Sequence, residues 1–122
     1  MRKLQVAFSR KEKVERLLSN LENLKNEGSI EQSQYQALKD NYSRILSDCT
    51  AEIRNIKASL EAEVQQEEYR AGAYAQELTN LEARFRVGEL TVEQHIKMRE
   101  SAQSKLEKAR GKIEELKRLI AT

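Results

Sequence analysis

The chain has 122 residues, 34% charged and 5% aromatic, with no proline and four glycines. So few aromatics in one domain's length exclude a thick globular core, and 22 basic residues against 20 acidic ones exclude a whole-molecule preference for nucleic acid or anionic membrane. Cys49 is the only cysteine, which rules out an intrachain disulfide and a thiolate zinc site.

About half of the residues are Ala, Glu, Lys, Leu or Arg, the composition of long helices or a coiled coil. With proline missing, nothing in the sequence forces a helix to end, so the ends must be read from glycines and polar caps. The first helix is predicted over about 4–26, with Val14, Leu17, Leu18, Leu21 and Leu24 on its apolar face. Gly28 closes it, since glycine takes the left-handed conformation of a last helical turn without strain. Ser29 with Gln32 three residues on matches a capping box for the next helix, and Glu31 is an alternative start.

The second helix is predicted over about 30–86. Its apolar stripe runs through Leu38, Tyr42, Leu46, Cys49, Ile53, Ile56, Leu60, Val64, Glu67, Ala71, Tyr74, Leu78, Leu81 and Phe85. Thirteen steps over 47 residues give 3.6 residues per step, the period of a nearly straight helix, and Glu67 alone breaks the pattern. A bend or break at Gly72, giving four helices, is the alternative reading. Gly88 ends this segment, Thr91 with Gln94 forms a second capping box, and a third helix follows over about 91–121. Its stripe is Ala102, Leu106, Ala109, Ile113, Leu116 and Ile120.

An offset of 60 relates the two halves. Leu18-Ser19-Asn20-Leu21-Glu22 recurs as Leu78-Thr79-Asn80-Leu81-Glu82, and the same register pairs Gly28 with Gly88, Tyr35 with His95, Leu46 with Leu106 and Ile53 with Ile113. The fold expected is all-α: a single domain, 1–122, forming an elongated antiparallel coiled coil of two tandem helical hairpins that share the long central helix. The internal repeats are approximately 9–68 and 69–122.

Charge is sorted along the chain. Residues 1–20 carry six basic and two acidic groups and residues 97–122 carry eight and four, so each end is +4 and the middle is −6. Glu61, Glu63, Glu67 and Glu68 lie where folded-back basic ends would arrive, which favours one register. Arg2, Lys3, Arg10 and Lys11 with Met1, Leu4 and Phe8 form a candidate amphipathic basic surface for an anionic membrane. Arg110, Lys112, Lys117 and Arg118 form a second, suited to nucleic acid but diluted by interleaved glutamates.

Catalytic chemistry finds little footing. His95 is the only histidine, so di-iron and metalloprotease sets are absent, and it is expected to pack beside the second turn. Cys49 falls on the stripe as a small buried hydrophobe, and the glycines are too scattered for a phosphate loop. No enzyme activity, cofactor, metal or small-molecule substrate is expected. Without a signal-peptide core or a membrane-length apolar run, the protein is expected to be soluble and cytoplasmic.

The strings at Gly28–Tyr35 and Gly88–His95, Gly-x-[Ile/Leu]-x4-[Tyr/His], together with Leu78-Thr79-Asn80-Leu81, resemble the coiled-coil region of the archaeal cell-division protein family CdvA over about residues 14–120. That family also carries an N-terminal β-barrel and a C-terminal recruiting tail, for which this chain shows no counterpart. The resemblance implies self-association and scaffolding in a division or membrane-remodelling assembly, and no individual functional residue. Read together, the expectation is a non-enzymatic scaffold that mediates protein–protein interaction as a homo-oligomer, a dimer favoured. An adaptor for anionic membrane or nucleic acid through the basic ends is the alternative.

Overall fold

The computed structural model describes residues 2–122, with the backbone alone for Arg2; Met1 and the Arg2 side chain lie outside the described residues. The described chain is all-α, with three helices and no strand: α1 (Arg2–Asn26), α2 (Gln32–Arg86) and α3 (Val92–Ile120). The period of 3.6 residues therefore translates directly into helix. α2 passes through Gly72 without interruption, so the four-helix alternative is not adopted.

Both turns close by the same hydrogen-bond scheme. At the end of α1 the Gly28 N–H donates to the Lys25 carbonyl at 3.0 Å and the Ser29 N–H to the Leu24 carbonyl at 2.9 Å. At the end of α2 the Gly88 N–H donates to Phe85 at 3.0 Å and the Glu89 N–H to Arg84 at 2.9 Å. This is the paired closure of a Schellman motif, which needs a left-handed residue at the glycine position. Gly28 and Gly88 supply it, with φ of 70° and 86°, and no other residue has positive φ among the described residues.

The helix starts differ. Thr91 caps α3 with a complete capping box: its hydroxyl accepts from the Gln94 N–H at 3.1 Å, and the Gln94 side chain accepts from the Thr91 N–H at 3.0 Å. α2 begins at Gln32, and its first intrahelical bond runs from the Tyr35 N–H to the Glu31 carbonyl at 2.9 Å. Glu31 therefore holds the cap position, the alternative start, and the Ser29 capping box does not form. The physical reason is that the Ser29 amide is committed to closing α1, so the chain needs two more residues before it can turn into α2.

The chain forms two compact units, Met1–Ala58 and Ser59–Thr122. In the first, contacts step down α1 as they step up α2: Glu22 meets Tyr35 and Lys39, Arg10 meets Glu52, and Phe8 lies under Lys57. Between these contacts Val14, Leu21, Tyr35, Cys49 and Ile53 are buried. In the second unit Glu82 meets His95, Glu67 meets Lys112 and Glu68 meets Lys117. Its buried side chains include Leu60, Val64, Leu81, Leu90, Ala102, Leu106, Ala109 and Leu116, with Leu78 packed against Leu81, Leu90 and Ala102.

The seam residues behave as their spacing requires. Leu21, Ile53, Leu60, Leu81, Leu106 and Leu116 are buried, while Leu18, Leu46, Ile56, Leu78, Phe85 and Ile113 are half-buried. Of the residues expected on the apolar faces, Leu24 on α1 and Leu38 on α2 are exposed. Glu67, the one charged residue on the stripe, is only 6% exposed, and it remains on the seam because cations from both helices of its unit reach it.

Candidate functional site

Helix geometry stacks residues three and four apart, so each turn places a polar cluster over the end of its seam. In the first unit Tyr35, buried at the start of α2, donates its hydroxyl to Glu22 Oε1 on α1. Lys39 Nζ donates to the same hydroxyl at 3.2 Å and lies 3.7 Å from Glu22. Lys25 Nζ sits 4.4 Å from the centre of the Tyr35 ring, within cation–π range. The hydrogen bond from Tyr35, aided by Lys39 and Lys25, holds the Glu22 carboxyl below its ordinary value. The hydrogen bond to Tyr35 and the negative charge of Glu22 raise the Lys39 ammonium above its own.

Sixty residues on, the same positions hold different chemistry. His95 is buried, its Nε2 lies 3.4 Å from Glu82 Oε2, and its ring stacks on Phe85 with centroids 4.3 Å apart and planes 8° from parallel. A cation over an aromatic face becomes an aromatic pair. Glu82 also receives the Arg86 guanidinium at 3.1 Å. His95 thus packs beside the turn, as its spacing suggested. Cys49 is fully buried.

Of the candidate basic residues, several already have carboxylate partners. Arg10 reaches Glu52 at 3.4 Å, Lys112 reaches Glu67 at 3.4 Å, Lys117 reaches Glu68 at 3.5 Å and Arg118 reaches Glu114 at 3.6 Å. The acidic stretch around Glu67 and Glu68 therefore does receive the C-terminal basic end. Lys3 and Arg110 are exposed and Lys11 is half-buried. On the proposed membrane-facing segment Leu4 is buried and Phe8 half-buried, which removes apolar surface from that face; Met1 and the Arg2 side chain lie outside the described residues. No helix among the described residues is long and apolar enough to cross a membrane, and none of their His, Cys, Asp and Glu side chains form a group able to hold a metal ion.

Two features escaped the periodic reading. The second turn exposes apolar side chains: Val87 at 80%, Val92 at 62% and Ile96 at 41%. Val92 and Ile96 share one face of α3, a turn apart. Their counterparts at the first turn are Glu27, Gln32 and Gln36, so comparing the repeats position by position would have flagged them. The second feature is a cleft between α2 and α3 of about 200 Å³, lined by Glu67, Arg70, Tyr74, Lys105, Lys108, Ala109 and Lys112. It takes one residue from the candidate basic surface, Lys112, and adds Lys105 and Lys108 from the same basic end and Arg70 from α2, which lies in the net-acidic middle of the sequence.

No protein-family model matches this chain, and no curated protein or solved structure matches it either.

Proposed function

We propose that this protein is a non-enzymatic helical scaffold, built of two tandem antiparallel helical hairpins sharing α2, that self-associates as a homodimer and presents its surface to protein partners. The apolar group at the second turn carries the reading. Exposed apolar side chains scattered singly are ordinary, but three within ten residues, in a chain that is 34% charged, form a surface that gains by being covered. The first turn, polar at the same positions, supplies the contrast: turn closure needs only glycine and backbone bonds, so Val87, Val92 and Ile96 are not required to build it. The resemblance of the turns to CdvA is the ground for placing such a scaffold in a division or membrane-remodelling assembly.

Light scattering coupled to size-exclusion chromatography over a range of concentrations tests the proposal. The wild-type chain is expected to run as a dimer, and the triple variant V87E/V92Q/I96Q, which installs the first turn's residues, as a folded monomer. A wild-type monomer across the whole range overturns the reading.

A further inference from the structure

We propose that the cleft between α2 and α3 binds a ligand carrying clustered phosphate groups, a role separate from self-association at the turn. The cleft gathers Arg70, Lys105, Lys108 and Lys112 around a single carboxylate, Glu67. Glu67 Oε1 serves two of these cations at once, Arg70 Nη1 at 2.7 Å and Lys112 Nζ at 3.4 Å, one from each helix. Lys105 and Lys108 form no ion pair among the described residues, so the cleft keeps a surplus of positive charge directed at a concave space.

The first unit shows that packing two helices does not demand this. At the positions sixty residues earlier, Ala7 stands for Glu67, Val14 for Tyr74, Ile45 for Lys105, Asp48 for Lys108 and Glu52 for Lys112, while Arg10 stands for Arg70. There the cross-helix contact is an ordinary ion pair, Arg10 with Glu52. In the second unit both members of that pair are cations, and a carboxylate has entered the seam between them. Bringing like charges together costs free energy at the surface, and the buried Glu67 offsets only part of it. A bound polyanion offsets the remainder.

A phosphate group fits this donor set better than a lone carboxylate does. It offers several charged oxygens to donors arriving from different directions, a planar guanidinium and three ammonium groups. The Tyr74 side chain, half-buried at the edge, adds a hydroxyl and an aromatic face. The space suits a compact ligand, whether a free di- or polyphosphate or the phosphorylated headgroup of a lipid.

Titration calorimetry of the full chain with inorganic pyrophosphate, and flotation with vesicles containing a phosphoinositide or only phosphatidylserine, distinguish the two sources. Saturable pyrophosphate binding that K105Q/K108Q weakens about tenfold supports the site with a free ligand. Binding confined to phosphoinositide vesicles, lost in the same variant, supports it with a lipid headgroup. Lys105 and Lys108 are exposed, so the variant is expected to keep its helical circular dichroism and unfolding midpoint. R118Q, altering a cation outside the cleft, is the control. Absence of binding to all probes, binding indifferent to K105Q/K108Q, or equal loss in R118Q overturns the proposal.

Discussion

Arg10 and Glu52 meet across α1 and α2 as an ordinary ion pair, whereas sixty residues later Arg70 and Lys112 converge on one buried carboxylate. The two units agree in backbone and disagree in their polar layer. Both turns use a left-handed glycine and the same pair of closing hydrogen bonds, and both bury a leucine at the equivalent position, Leu21 or Leu81. Around that shared frame the cap, the aromatic at the turn and the charges between helices all differ. Backbone closure and burial set the fold here, and the side chains outside them are free to carry separate tasks.

If the frame is equivalent, its removal should cost the same in either unit. Leu21→Ala and Leu81→Ala are each expected to destabilise by about 2–5 kcal/mol, the usual range for truncating a buried leucine. Urea unfolding followed by circular dichroism reads this, and a large inequality between them would break the equivalence of the two units.

The caps predict a smaller and asymmetric effect. Thr91→Ala removes a hydroxyl that accepts from the Gln94 N–H and should cost about 1 kcal/mol. Glu31→Thr should do the reverse. Gln34 stands three residues after position 31 as Gln94 does after Thr91, so the change installs a capping box at α2 and is expected to add about 0.5–1 kcal/mol. Thermal unfolding of both variants sharpens the contrast; a Glu31→Thr chain less stable than wild type would contradict it.

These cases also show what sequence alone can and cannot specify. The three helices, the glycine turns and nearly every seam position follow from period and backbone sterics, which are local. The start of α2 was ambiguous between Ser29 and Glu31 because the choice depends on which amide the preceding helix has already used. Glu67 broke the apolar stripe on paper, since no linear pattern records that Arg70 and Lys112 come from two helices to meet it. The burial of Leu4 was likewise invisible, its surroundings being tertiary. Exposure of Val87, Val92 and Ile96 emerges only when the two repeats are compared residue by residue.

The smallest effect concerns pH at the first turn. The Glu22 carboxyl is lowered by its hydrogen bond from Tyr35, so its contribution is present above the ordinary carboxylate value and lost as pH falls through the lowered one. Lys39 is raised, so its contribution is complete below the ordinary lysine value and lost as pH rises through the raised one. Tyr35→Phe removes the hydroxyl common to both. NMR titration should then show the Glu22 midpoint moving up toward 4.5 and the Lys39 midpoint down toward 10.5. Unmoved midpoints would show that the neighbouring charges, and not the phenol, set the first turn apart from the second.

Cys49 gives the protein a built-in clock for its first unit. The thiol is fully buried there, and its counterpart sixty residues on is Ala109, also buried. An alkylating reagent can reach Cys49 only when the helices around it part, so its labelling rate under native conditions measures how often that half of the molecule opens. Moving the single thiol, by C49A/A109C, transfers the same stopwatch to the second half. The pair of rates would rank the local stability of the two units without denaturing either.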